Sequence, residues 1–337
     1  MQVEERRRLG RTDVELTVLG LGGAPLGNFQ APVDEDDALA TIDLAYQSGI
    51  RLFDVAPQYG HGLAEHRFGH VLRRYARDSY VLTTKVGRMC IPDAGVARDG
   101  LFHDPLPFRL QDIYTREAIL RSIEDSYQRL GIVEIDALYI HNIDAALHSP
   151  DELEAFFKQA MDEAFPALAE LRDQGVIKAI GAGNNYTEMC ERFARAADFD
   201  CFLLAGRYSL LEQGPLDTFF PLCEERGIGI VMGGPFNSGI LATGAVPGAT
   251  YNYLPATEEV LDRVRVIEGV CAEYGVPLAA AALQFPLAHP VVASVIPGSR
   301  TPDELTANLA AFRHDIPAEF WAALRDRELI DPRSPLP

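Results

Sequence analysis

Asp54, Tyr59, Lys85 and His141 are the residues whose types and spacing could do chemistry together. Asp54 and Tyr59 lie in Arg51-Leu-Phe-Asp-Val-Ala-Pro-Gln-Tyr59-Gly60, Lys85 in Tyr80-Val-Leu-Thr-Thr-Lys-Val-Gly87, and His141 in Ala137-Leu-Tyr-Ile-His-Asn-Ile-Asp144. Asp54, Lys85 and His141 each close a short β-rich run. Tyr59 follows Asp54 in a loop held by Pro57 and Gly60 and can bend back over the same rim. An acid, a phenol, an ammonium and an imidazole converging on one pocket can take a proton from a hydroxyl. A phenol titrates near 10, and lowering it by ~3 units takes ~4 kcal/mol. One ammonium at ~4 Å in an effective dielectric of ~20 supplies ~4 kcal/mol. Lys85 alone is therefore expected to bring Tyr59 into range as a base. Burial favours loss of the lysine's proton, and Asp54 opposite is expected to hold that charge in place. His141 can donate a hydrogen bond to a substrate oxygen. Singly, each residue has an ordinary reading, as a solvated lysine, a turn-forming aspartate or a satisfied polar histidine. Their shared position at successive strand ends points to catalysis.

The elements that must position them read as eight strands alternating with helices. The strands are expected at Val18–Gly22, Arg51–Asp54, Tyr80–Lys85, Ala137–His141, Ile177–Gly181, Phe202–Ala205, Gly229–Met232 and Val292–Ile296. The helices are expected at Asp36–Ser48, Leu63–Arg73, Thr115–Leu130, Glu163–Gln174, Thr187–Ala196, Leu216–Glu225, Thr257–Tyr274 and Pro302–Phe312. Runs that are apolar throughout fit strands covered on both faces. Eight β-then-α units predict a (β/α)8 TIM barrel, whose active site lies at the C-terminal ends of the strands. Gly49, Gly131, Gly175 and Gly227 read as helix stops, and Asp34, Thr115 and Thr301-Pro302 as starts. Leu9–Thr17 suits a β-hairpin sealing the barrel's bottom. Two long connections, Arg88–Tyr114 and Pro235–Ala256, follow strands and are expected over the catalytic face. Residues 1–337 read as a single domain. Asp331–Pro337 fits either a free tail or a pocket wall.

Of the 337 residues 47% are hydrophobic, enough for a large core. Thirty basic residues against 49 acidic give a net charge of −19. That balance argues against nucleic-acid and anionic-membrane partners, which need a basic surface. No apolar run reaches membrane-spanning length. The five cysteines, Cys90, Cys190, Cys201, Cys223 and Cys271, contain no Cys-x-x-Cys pair. Free thiols in a reducing cytoplasm are expected, with no metal site. The histidines His61, His66, His103 and His141 lack the spacing of a ligand set, which disfavours a metal-dependent hydrolase. The expected partner is a small-molecule substrate, and the expected state a monomer or homodimer.

Over nearly its whole length the chain resembles the aldo-keto reductases. The resemblance is carried by Phe53-Asp54-Val-Ala-Pro-Gln-Tyr59-Gly60, Thr84-Lys85-Val-Gly87, His141-x-x-Asp144, Ile180-Gly181-Ala-Gly-Asn184 and Ile296-Pro297-Gly298-Ser299-Arg300. It implies a TIM barrel that binds nicotinamide cofactor without a Rossmann domain, with Asp54, Tyr59, Lys85 and His141 as catalytic tetrad and Tyr59 as acid/base. In keeping with that, Gly20-Leu-Gly22-Gly23-Ala24-Pro25 has a proline where the third glycine of a dinucleotide fingerprint belongs. The resemblance further implies cofactor contacts from Asn184, Gly233, Pro235, Phe236, Gly239, Leu241, Pro297, Gly298, Ser299, Arg300, Glu304 and Asn308.

Some positions depart from the family's pattern. Gly183 precedes Asn184 where serine is typical. Ala205 stands where glutamine is typical, and Gly233 leaves open which group stacks on nicotinamide. Gly298 and Glu304 occupy positions where NADP-preferring members carry lysine and arginine. A carboxylate repels a 2′-phosphate, so NAD is the expected cofactor, with NADP possible through Arg300. The runs Leu204–Gln213 and Gly233–Leu241 resemble a branch that includes dehydrogenases of L-fucose and other D-threo-aldoses and of pyridoxal. These oxidise a cyclic hemiacetal to a lactone. The expected function is oxidation of such an aldose at its anomeric carbon, with pyridoxal oxidation to 4-pyridoxolactone as the alternative. Gln58, His103, Asn142 and Asn237 could serve a sugar, and Phe29, Phe102, Phe108 and Phe236 an aromatic ring. A non-catalytic nicotinamide-binding barrel is disfavoured by the intact tetrad.

Overall fold

The computed structural model describes residues 1–146 and 148–337. The chain opens with an antiparallel hairpin of β1 (Arg6–Arg8) and β2 (Glu15–Thr17). Next come β3 (Leu21–Gly22), β4 (Leu52–Asp54) and β5 (Val81–Val86), then a second hairpin of β6 (Arg88–Pro92) and β7 (Phe108–Asp112). They are followed by β8 (Ala137–His141), β9 (Ala179–Asn184), β10 (Cys201–Ala205) and β11 (Gly229–Gly233). A short hairpin, β12 (Thr250–Tyr251) with β13 (Leu254–Pro255), precedes the last strand, β14 (Val292–Ile296).

Eight of these strands form one parallel sheet in the order β3-β4-β5-β8-β9-β10-β11-β14. The sheet closes on itself: Gly20 N donates to Val295 O at 2.9 Å, Val295 N to Val18 O at 2.9 Å, and Gly22 N to Pro297 O at 3.0 Å. The architecture is a (β/α)8 barrel. Closure removes the sheet edges, and the helices cover the outer face, so the strands are buried on both sides. The β1–β2 hairpin plugs the bottom, where Leu9, Val14 and Leu16 pack with Leu52, Ala137, Ala179 and Cys201 near the strand starts. Its first strand lies before Leu9, earlier than the expected Leu9–Thr17, because Leu9 itself turns the chain, accepting from Thr12 N and donating to Val14 O.

Side-chain caps set the helix starts as expected. Asp34 accepts from the backbone of Asp36 and Asp37, Thr115 from Ala118, and Thr301 from Glu304, with Pro302 at the first helical position. The expected helix Glu163–Gln174 begins much earlier in the structure. A capping box of Ser149 and Glu152 starts a helix at Pro150–Gln159, which continues through a π turn, Ala160–Ala164, into Phe165–Asp173. Pro166 has no N–H to give to the turn before it, and the wider turn accommodates that loss. The C-terminal segment docks on the connection that follows β10: Asp331 N donates to Gln213, and Arg333 pairs with Asp217. Among the described residues no single helix is long and apolar enough to cross a membrane.

Candidate active site

The strand register brings the polar ends together. β4 pairs with β5 and β5 with β8, so Asp54, Lys85 and His141 stand side by side on the rim. Lys85 Nζ lies 2.6 Å from Asp54 Oδ2 and donates to Val55 O at 2.8 Å. Thr83 Oγ1 donates to the other Asp54 oxygen at 2.7 Å. The two charged side chains are only 2% and 3% exposed. At that depth each charge depends on its partner. Burial works most strongly against the Lys85 charge, but Asp54 and then Tyr59 outweigh it, and its pKa lies above the ordinary lysine value.

Tyr59 folds back over this pair. Its loop is a tight turn, with Tyr59 N donating to Ala56 O and Ala64 N to Tyr59 O, both at 3.1 Å. Lys85 Nζ sits 4.8 Å from the centroid of the Tyr59 ring. The His141 ring meets it edge-on, with centroids 6.0 Å apart. The expectation that Lys85 alone lowers the phenol is corrected here. Burial pushes the Tyr59 pKa up, Lys85 pulls it down, Asp54 pushes it up again, and the result lies above 10. The cation offsets desolvation rather than winning outright, so Tyr59 is a phenol at neutral pH. His141 is neutral: burial first, then Arg88 and Lys85, hold its imidazole well below the ordinary range. Its Nδ1 is buried and has no hydrogen-bond partner.

Two buried atoms next to this cluster also have no partner. Asn184 ends β9, is 1% exposed, and neither its Oδ1 nor its Nδ2 makes a hydrogen bond. A buried amide with both ends unpaired fits a second carboxamide, which offers the complementary donor and acceptor. A small cavity of about 20 Å³ lies between the ends of β10 and β11, lined by Asn185, Arg207, Gly234, Asn237, Asn252 and Tyr253. At Gly233 a Cβ would lie 3.1 Å from Leu203, so no larger residue fits without a shift. The ring that lines the cavity is Tyr253, at the tip of the β12–β13 hairpin.

The remaining expected cofactor contacts cluster in two places. Pro297, Gly298, Ser299 and Arg300 run from β14 into the helix Pro302–Arg313. Asn308 Nδ2 donates to Ser299 Oγ at 3.0 Å, and Glu304 Oε2 accepts from Arg300 N at 2.7 Å. Gly233, Pro235, Phe236, Gly239 and Leu241 follow β11. Phe236 O accepts from both Gly239 N and Leu241 N, and the Leu241 side chain is wholly buried. Of the residues considered for substrate, Phe102 packs 6.1 Å from Tyr59 and 5.5 Å from Phe29, and Phe29 meets Tyr253 at 5.5 Å. Phe236 instead packs against the hydrophobic core. Asn237 Nδ2 donates to Gly206 O at 2.9 Å, while its Oδ1 is buried without a partner. His103 is held through its main chain by Asn28.

Arg88, Tyr114 and Tyr253 join the site without having been singled out in the sequence. Arg88 follows Lys85 by three residues in Lys-Val-Gly-Arg, a spacing that carries a second cation towards the same rim. Tyr253 lies in the long connection expected over this face, but its direction depends on the hairpin turn, where Asn252 and Tyr253 have φ of 49° and 67°.

Residues 18–328 match a family model described as the Aldo/keto reductase family. The chain is 42% identical to pyridoxal 4-dehydrogenase of Microbacterium luteolum, over 98% of this chain and 99% of that protein. It is 39% identical to a D-threo-aldose 1-dehydrogenase of a Pseudomonas species, over 94% and 95%. Its fold is similar to that of an aldo-keto reductase from Bacillus halodurans in its holo form, with a TM-score of 0.75 at 24% identity over 97% of each chain.

Proposed function

This chain belongs to the aldo/keto reductase family of oxidoreductases, and on that premise we propose that it oxidises a cyclic hemiacetal at its anomeric carbon to the lactone, residues 1–337 acting as one domain. The observation that carries this reading is the buried Lys85–Asp54 pair beneath the Tyr59 ring, with neutral His141 at its edge. The substrate class is an aldose such as L-fucose or another D-threo-aldose. Pyridoxal is the second reading, favoured by the rings of Phe29, Phe102 and Tyr253 around Tyr59.

In its phenolate form, Tyr59 accepts the proton of the anomeric hydroxyl. Lys85 stabilises the phenolate, and Asp54 keeps Lys85 charged and aimed. His141, with one N–H to give, orients the substrate oxygen. A bound oxidised nicotinamide supplies the acceptor for the hydride that leaves the same carbon. Asn184 would hold its carboxamide. Ser299, Arg300 and the free N–H groups at the start of helix Pro302–Arg313 would hold the adenosine end. Glu304 stands there as a carboxylate, repelling a 2′-phosphate and accepting from ribose hydroxyls, which makes NAD the preferred cofactor.

The test is to offer L-fucose and pyridoxal separately with NAD and with NADP. Formation of reduced cofactor together with a product two hydrogens lighter than the substrate supports the reading. Reduced cofactor from open-chain alcohols only, with no lactone from either hemiacetal, contradicts it.

A further inference from the structure

Arg88 opens β6, just beyond the strand that carries Lys85. Gly87 before it has φ of 102°, and a Cβ there would lie 2.2 Å from the Tyr114 ring. The turn sets Arg88 inward, with its side chain 6% exposed. Its Nε lies 3.2 Å from Oδ1 of Asp112, its register partner on β7, in an ion pair without hydrogen-bond geometry. The other Asp112 oxygen is 3.0 Å from His148 Nε2. Arg88 Nη2 donates to Asn142 O at 3.2 Å, and the Tyr114 hydroxyl donates to His141 O at 2.8 Å. Two side chains from one hairpin and its exit thus grip the two carbonyls at and after His141.

We propose that Arg88 is a positioning residue of this active site: held by Asp112 and, through it, His148, it fixes the backbone carrying His141 and supplies a second buried cation facing Tyr59. The proposal rests on the reading of Tyr59 as proton acceptor. A guanidinium remains charged at any working pH. It therefore favours the phenolate of Tyr59 and the neutral imidazole of His141, the two forms the reaction needs. The charged groups facing Tyr59 are Lys85 from β5 and Arg88 from β6, which pull its pKa down, and Asp54 from β4, which pushes it up. Tyr253, at the hairpin tip, is near enough to be coupled to it. His141 faces the same two cations. Asp112 is 28% exposed, so water shares its charge and it masks Arg88 only in part.

The experiment compares wild type with Arg88→Gln, Arg88→Lys and Asp112→Asn. The readouts are the pH profile of kcat/KM and the NMR titration of His141 in histidine-labelled protein. Glutamine keeps a donor for Asn142 O but loses the charge. It is expected to move the rising limb of kcat/KM up by at least ~0.5 unit, about threefold in rate at a fixed pH on that limb. Arg88→Lys leaves the limb near its wild-type position. Asp112→Asn unmasks the cation and moves the limb down. His141 takes up its proton at higher pH in Arg88→Gln than in wild type. If Arg88→Gln and Asp112→Asn both merely lower kcat, with the limb and the His141 titration unmoved, Arg88 is a structural residue and the proposal is overturned. Should Arg88→Gln fail to fold, the unmoved limb expected for Arg88→Lys and the downward shift expected for Asp112→Asn decide. If wild type turns over no hemiacetal, the functional reading fails, while the His141 titration still reports on Arg88.

Discussion

Replacing Lys85 by methionine keeps most of the side chain's volume and removes the charge under Tyr59. With the charge 4.8 Å from the ring centroid and an effective dielectric of ~20, its attraction for a phenolate is about 3.5 kcal/mol. That corresponds to roughly 2.5 pKa units, so kcat/KM near neutral pH is expected to fall roughly 300-fold. The wild-type profile should already rise into the alkaline range, because burial holds Tyr59 above 10. In Lys85→Met the rise should move beyond the accessible range. Stability changes too. Asp54 loses the ammonium 2.6 Å away and keeps Thr83 as a hydrogen-bond donor. Burial already pushes the Asp54 carboxyl up, so it takes up a proton rather than stand uncompensated. Breaking such a pair by removing one partner costs about 3–5 kcal/mol. The double variant Asp54→Asn with Lys85→Met should recover most of the melting temperature and none of the activity. The assay is initial-rate formation of reduced cofactor from neutral to alkaline pH, with thermal melts alongside. A Lys85→Met enzyme whose profile rises at the wild-type pH would refute the electrostatic role of Lys85. So would recovery of activity in the double variant.

Two further outcomes follow from the same geometry. Glu304→Gln removes the carboxylate beside Arg300 and should shift the NADP-to-NAD ratio of kcat/KM towards NADP by about tenfold, the equivalent of ~1.4 kcal/mol; an unchanged ratio would place discrimination elsewhere. His289, 6% exposed and packed 4.6 Å from the Phe220 ring, has its pKa lowered by burial to about 4. The unfolded chain binds that proton first, so stability is fully present above ~6.5 and lost as pH falls towards 4, by about 3 kcal/mol. Urea denaturation of wild type and His289→Gln across that window should show a flatter pH dependence in the variant.

Asp54, Lys85 and His141 were legible because each stands near the end of a short β-rich run. A polar side chain there has one place to go, the rim. The same logic located β8 and β14 with their observed ends and placed the other barrel strands within a few residues. The missed helix at Pro150–Gln159 carried a readable start, Ser149-Pro150-Asp151-Glu152. Asp162-Glu163 and Pro166 are residues that also suit a helix start, yet here they fall on a turn within a longer helix. Two features were out of reach. The direction of the Tyr59 shift depends on how much desolvation opposes the Lys85 charge, and burial of a loop residue has no signature in its neighbours. The chain from Arg88 through Asp112 to His148 links residues 24 and 36 positions apart. It exists only because β6 and β7 pair Arg88 with Asp112.

The most direct measurement is the single-turnover rate of Tyr59→Phe with saturating NAD and a hemiacetal substrate, alongside cofactor binding followed by fluorescence. Loss of the phenol's proton-accepting group should slow the chemical step by about 10²–10⁴-fold while the affinity for NAD stays unchanged. A phenylalanine variant that forms reduced cofactor as fast as wild type would show that another group takes the proton.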